Sequence, residues 1–280
     1  MMCRRVLSVL LLTTLCCGQV AVRGTVVVVV PSNAGVVIAS DTRTIVKGKT
    51  CDGHTKIFDP KLRKNTVVFY TGNGNQVSDP ANGIDICQHV EKSTPVLDIT
   101  KFLTNQANLL PDTLLTIPEL QRIATRCLDL VTQYSRTHRL DPAEDGGLFQ
   151  GVIVTYEAGS GQVRVGRIRM TADAQGRVGY DAPTIYVYEK TDQADRMILG
   201  EDKYVQQRVN ISRCDAQIRD KTVAMMSLND AATVAQCVIA SAEKQAEEPP
   251  PPPSGIGGPI DVFRITKNGV ESKRIKSCAQ

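Results

Sequence analysis

Residues 23–30 read Arg-Gly-Thr-Val-Val-Val-Val-Val. From Thr25 to Val30 every side chain is β-branched, a type that is stiff at χ1 and packs well on a pleated surface. No polar residue alternates through the valines, so the strand they predict is buried on both faces. Pro31 to Gly35 then supplies turn residues, and Val36 to Ser40 is a second apolar run. The two runs predict a β-hairpin whose faces must both be covered by other parts of the chain.

Those parts can be read in outline. Thr66 to Asn75 predicts a strand that ends in a Gly/Asn loop. Ile117, Leu120, Ile123, Ala124, Cys127, Leu128, Val131 and Tyr134 recur at helical spacing, with Pro118 near the start. Gly151 to Met170 reads as strand, turn, strand, and Thr184 to Tyr188 as one more strand. Gly200 to Val209 and Leu228 to Glu247 read as helices, with Asn229 or Asp230 as N-cap of the second. The prolines within 249–259 predict a polyproline II linker, and Asp261 to Ile275 a hairpin about Asn268–Gly269. Strands, helices, strands, helices, strands is the order. It predicts a single α+β domain over residues 25–280, with two antiparallel sheets each covered by a helical layer: a four-layer αββα sandwich.

Residues 1–24 read as a leader. Arg4–Arg5 is a basic start, and Val6 to Leu15 is apolar but too short to span a bilayer. Lipid attachment at Cys16 or Cys17 competes, although no small-residue triplet precedes either. Val22 and Gly24 are small residues that a signal peptidase tolerates, so export itself can expose Thr25. Alternatively cleavage falls earlier, after Gly18 for example, and Thr25 removes the remainder autocatalytically. Either route predicts a secreted or periplasmic protein with no membrane partner after the leader is gone. The formal charge of the 280-residue chain is +4, but Arg4, Arg5 and Arg23 belong to the leader, and the rest is nearly balanced. No strong field for nucleic acid or anionic membrane remains. Tryptophan is absent, which argues against a base-stacking platform.

Cys51, Cys87, Cys127, Cys214, Cys237 and Cys278 follow the leader, and an even count behind a leader predicts up to three disulfides. One arrangement bridges Cys87 to Cys127 between two helices of one outer layer and Cys214 to Cys237 on the other face, leaving Cys51 with Cys278. Other connectivities stay open. No C-x-x-C pair occurs and the three histidines are scattered, so no metal is expected.

Asp41 follows directly on the second predicted strand, Arg43 is two residues on, and Lys56 lies in His-Thr-Lys-Ile-Phe. A Thr hydroxyl is a poor nucleophile at neutral pH and needs a base and a nearby cation. A free N-terminal amine can be that base, because its pKa lies near neutrality. A desolvated Lys supplies positive charge, and an Asp fixes that Lys in place.

Gly24–Thr25, the following strand and turn, Gly-Val-Val-Ile-Ala with Asp41 and Arg43, Lys56, and Phe-Tyr-Thr-Gly ending at Gly72 together resemble proteasome β subunits and their bacterial relatives, the N-terminal nucleophile hydrolases. The resemblance covers roughly the first third of the chain after the leader. It implies Thr25 as nucleophile, its own amine as base, Lys56 and Asp41 as activators, Arg43 as the family's Arg, and the Gly72 N–H as oxyanion donor. It implies cleavage of amide bonds in peptides or small amides through an acyl-enzyme, without cofactor, and assembly into homo-oligomeric rings. Departures are visible. Lys56 comes one residue early, Phe149 stands where the family has Ser, and the support segment Asp-x-x-Ser-Gly-Gly is missing. Pro-rich residues ending in Ser254, Gly255 and Ile256 precede Gly257–Gly258 instead. These departures keep a second class open: a disulfide-stiffened binding or scaffold protein that holds the fold without turnover. A third, a secreted inhibitor or toxin, rests on cysteine count alone.

Overall fold

The computed structural model describes residues 19–21, 26–47, 49–78, 80, 83–110, 115–143, 145–200, 209–246 and 256–275. Thr25, most of the helix expected at 200–209, most of the proline linker, and Cys278 lie outside them.

The first eight strands are β1 (Gln19–Ala21), β2 (Val26–Ser32), β3 (Gly35–Asp41), β4 (Thr44–Val46), β5 (Lys49–Cys51), β6 (Ile57–Phe58), β7 (Thr66–Gly72) and β8 (Asn75–Ser78). Helix α1 (Ile86–Lys92), strand β9 (Leu97–Asp98) and helices α2 (Ile99–Asn108) and α3 (Ile117–Ser135) follow. Strands β10 (Gly147–Tyr156), β11 (Val163–Ala172), β12 (Val178–Tyr180), β13 (Thr184–Tyr188) and β14 (Met197–Gly200) come next. The last elements are the short α4 (Ser212–Asp215), the long α5 (Leu228–Ala246), and strands β15 (Ile260–Thr266) and β16 (Gly269–Ile275).

Among the described residues the strands form four antiparallel sheets. One is five-stranded, ordered β14-β2-β3-β15-β16. A six-stranded sheet is ordered β12-β11-β10-β7-β6, with β13 also paired to β11. Two small sheets are β1-β8-β9 and β4-β5. The four-layer αββα sandwich expected from the order of elements is therefore corrected. Strand predominates over helix, two of the sheets stand outside any simple two-sheet stack, and α1 packs on these small sheets, where Val90 meets Val46, Cys51 and Val77. The reason is local. Strands of two to four residues with polar content, such as β5, β8 and β9, leave no periodic signal, so the sequence showed only the long runs.

The valine hairpin does lie at the centre. β2 and β3 are buried along their whole length and pair through a turn at Asn33–Ala34. Val27, Val29, Val36 and Ile38 pack against Val67, Phe69, Val152 and Val154 of the six-stranded sheet. The alternate residues, Val28, Val30, Val37 and Ala39, pack against Ala231, Ala235, Val238 and Ile239 of α5. Alternation along each strand thus feeds two cores at once. Helices α2 and α3 cover the far face of the six-stranded sheet through Leu103, Leu120, Ile123 and Val131. α3 begins with a capping box, Thr116 with Glu119, which satisfies two otherwise unpaired backbone donors. α5 is capped by Ser227 reciprocally with Asp230, rather than by Asn229 or Asp230 alone.

Among the described residues there are two disulfides, Cys214–Cys237 and Cys51–Cys87. The first is as predicted. The expected Cys87–Cys127 and Cys51–Cys278 pairs are corrected, since Cys51 takes Cys87. Cys127 is a free thiol on the inward face of α3, and burial pushes its pKa up to about 12. The helical period that made Cys127 part of an apolar stripe also turns it into the core, away from α1. Among the described residues, no helix is long and apolar enough to cross a membrane.

Candidate active site

β3 ends at Asp41, which is fully buried. Lys56 immediately precedes β6 and is 4% exposed. Its Nζ donates to both carboxylate oxygens of Asp41, each at 3.1 Å, and to the carbonyl of Arg43. Oδ1 of Asp41 also accepts the Val26 N–H at 2.8 Å, and Oδ2 accepts the Gly257 N–H at 3.2 Å. A buried ion pair is tolerable only when the remaining lone pairs and protons find partners. Here two backbone amides and a carbonyl provide them. Burial pulls the Lys56 ammonium below its ordinary range, against the opposing attraction of Asp41, and pushes the Asp41 carboxyl above its own. Desolvation is the larger cause for both.

A shell of contacts fixes the pair. Arg43 makes a forked ion pair with Asp52, Nε to Oδ1 at 2.8 Å and Nη2 to Oδ2 at 3.3 Å. Thr42 accepts the His54 N–H on its carbonyl and the Gly53 N–H on Oγ1. The 51–56 segment is thereby held along 41–43 at several points before it delivers Lys56. Burial, with Lys56 nearby, keeps His54 below its ordinary pKa. The segment Ile256–Gly258 closes the other side. The Gly257 carbonyl accepts the N–H groups of Thr42 and Arg43, and the Ile256 carbonyl accepts Arg43 Nη1. Gly258 has φ +77 and donates its N–H to Glu243 of α5 at 3.1 Å.

The predicted residues therefore divide. Asp41, Arg43 and Lys56 are brought together by side-chain and backbone bonds. Gly72 ends β7 on the six-stranded sheet, exposed and at φ +86, beside Leu148 and Phe149. Thr25 lies outside the described residues, but its chain neighbour Val26 is the residue whose amide Asp41 holds. Sequence reasoning did not find Asp52, Glu243 or the backbone role of Gly257. Gly257–Gly258 was visible as a glycine pair, and nothing in the spacing tied it to Asp41, which is 216 residues away. Among the described residues, no group of three or more His, Cys, Asp or Glu could hold a metal ion.

No family model matches the sequence, and no curated protein matches it. Among solved structures, the chain is similar to Anbu from Hyphomicrobium sp. strain MC1, with 18% identity, 90% of this chain and 88% of that one covered, and a TM-score of 0.47. It is similar also to a mutant of that protein, with 17% identity, 91% and 88% covered, and a TM-score of 0.47. Likeness at this level assigns neither family nor activity. Membership of the proteasome β subunit family, which the N-terminal motif implied, is corrected accordingly: a motif confined to the first third of the chain is not accompanied by a match of the whole. What remains for function is the geometry of the site itself.

Proposed function

We propose that the chain is an exported amide hydrolase whose nucleophile is the hydroxyl of Thr25, freed as an N-terminus by cleavage of the Gly24–Thr25 bond. One observation carries this reading. A buried lysine is clamped by an aspartate that also holds the backbone amide of Val26, the residue next to Thr25. A desolvated ammonium at the end of a buried strand favours an alkoxide beside it.

In the proposed reaction the Thr25 α-amine takes the hydroxyl proton as Oγ bonds to the substrate carbonyl carbon. Lys56 stabilises the developing negative charge at Oγ, and Asp41 holds Lys56. The carbonyl oxygen becomes an oxyanion that accepts the Gly72 N–H. Collapse breaks the C–N bond, and the leaving amine takes the proton from the α-ammonium. Water then attacks the Thr25 ester, the α-amine takes its proton, and the acid leaves as Oγ regains hydrogen.

A peptide suits the site as substrate. Gln19–Ala21, just before the proposed cleavage point, adds as strand β1 to the edge of β8, and β8 begins three residues after Gly72. An extended acyl-side peptide can use the same backbone edge. Two disulfides support an oxidising, secreted or periplasmic setting.

Incubation with a peptide epoxyketone or β-lactone tests the proposal. Peptide mapping should find the adduct on Thr25 in the wild type and none in Thr25→Ala. Lys56→Met should slow its formation by about a hundredfold or more. Unmodified wild-type protein would leave the fold as a binding scaffold without turnover, and modification of Thr25 indifferent to Lys56 would overturn the role given to the lysine.

A further inference from the structure

Glu243 is a carboxylate in the wrong place for a surface helix. It lies on α5, is 3% exposed, and is flanked by Ala242 and Ile239 of the apolar face. Nothing in the proposed chemistry uses it. Buried carboxylates without a task are rare, because desolvation opposes the charge.

Its contact gives the task. Glu243 Oε1 accepts the N–H of Gly258. Gly258 and its neighbours make a strap whose hydrogen bonds converge on the Asp41 segment: Gly257 N–H to Asp41 Oδ2, Thr42 and Arg43 N–H to the Gly257 carbonyl, and Arg43 Nη1 to the Ile256 carbonyl. The strap must come close. A Cβ on Gly258 would lie 2.9 Å from Thr42 Oγ1 and 3.2 Å from the Asp52 carboxyl carbon. Glycine at positive φ permits that approach but does not hold it, since glycine has the most backbone freedom to lose. A fixed acceptor on a rigid helix can hold it.

We infer that Glu243 is a positioning residue for the Asp41–Lys56 pair, acting through the Gly258 and Gly257 amides. Its role rests on the catalytic reading only in so far as the pair is catalytic; the structural linkage stands by itself. Lys56 also faces Asp52 and Asp261, and Asp41 faces Val26 and Gly257. A shift of the strap therefore changes the Gly257 donor to Asp41 and leaves the Val26 amide and Lys56 in place.

The test compares E243Q with E243D. Gln keeps an oxygen acceptor at the same reach and loses the charge, whereas Asp keeps the charge and withdraws the oxygen by one methylene. The readouts are the NMR titrations of the Asp41 carboxyl carbon and the Lys56 side chain, with thermal unfolding as the check on folding. The expected result is wild-type titration in E243Q and displaced titration in E243D, together with labelling of Thr25 slowed by about a hundredfold in E243D alone. Titrations unchanged in E243D, with only a lower melting temperature, would make Glu243 a plain structural residue and overturn the inference. So would an E243Q displaced as far as E243D. If the wild type is never labelled at Thr25 while E243D still displaces the titrations, the catalytic reading fails and the positioning role survives.

Discussion

The β2–β3 hairpin is buried along its whole length, yet its middle and its end are held by opposite means. In the middle, Val27, Val29 and Ile38 face one core while Val28, Val30 and Ala39 face another. The contacts there are non-directional, and any apolar side chain of the right volume serves. At the end, Asp41 is no more exposed than the valines, but it is held directionally, by Lys56, the Val26 amide and the Gly257 amide among its partners. Equal burial therefore predicts unequal tolerance. Volume is what matters in the middle, and partners are what matter at the end.

The largest expected effect comes from unpairing the end. Lys56→Met leaves a buried carboxylate without its cation and should cost about 3–5 kcal/mol in urea unfolding. Asp41→Asn combined with Lys56→Met should recover much of that loss, because the double variant leaves no uncompensated charge. A double-variant loss equal to the sum of the single losses would break the claim that the two act as a unit.

The same pair fixes a pH dependence. The Asp41 carboxyl is raised from an ordinary 3.8, so the folded protein holds a proton that the unfolded chain releases. Its contribution to stability is full below pH 3.8 and is lost as pH rises through the raised value. Lys56 is lowered from 10.5, so between its lowered value and 10.5 the unfolded chain binds more protons and stability rises with pH. Relative to the double variant, the wild type should lose stability above pH 3.8 and regain it towards pH 10.5. A flat difference across that range would contradict the burial-driven shifts.

Smaller effects sharpen the contrast. Replacing both Cys51 and Cys87 by Ser should lower stability by about 2–4 kcal/mol, because the bridge closes a long loop carrying Lys56. Reducing agent, which acts on Cys214–Cys237 as well, should cost at least that much in calorimetry. Gly258→Ala places a side chain at φ +77 and should cost about 1–2 kcal/mol, with slower Thr25 labelling. Ile38→Val, in the apolar middle, should cost only about 0.5–1.5 kcal/mol and leave the titration of Asp41 and Lys56 unmoved. Movement of that titration by Ile38→Val would erase the distinction between the middle and the end.

The unequal tolerance also explains what the sequence could reveal. β2, β3, β7, β10, β11, α3 and most of α5 are long and periodic, and they were legible because packing acts on every residue of the run. β5, β8 and β9 were not, because two to four mixed residues carry no period. Asp41 was legible as the residue that follows the second apolar run, whereas Lys56 was picked out only by the resemblance of the N-terminal motif. Glu243 and Gly257 were not, because their value lies in hydrogen bonds to segments distant in the sequence. Cys127 was misread for a related reason: its spacing marked the core face of α3 and carried no information on which thiol lay within reach.

The most direct test of the central claim is the N-terminus of the protein recovered from the cells that make it and from their medium, by intact mass and terminal sequencing. A chain beginning at Thr25, with Thr25→Ala shifted to an upstream start, would agree with a self-processing threonine nucleophile. Residues still attached ahead of Thr25 in the wild type would leave it no free amine, and would contradict the account.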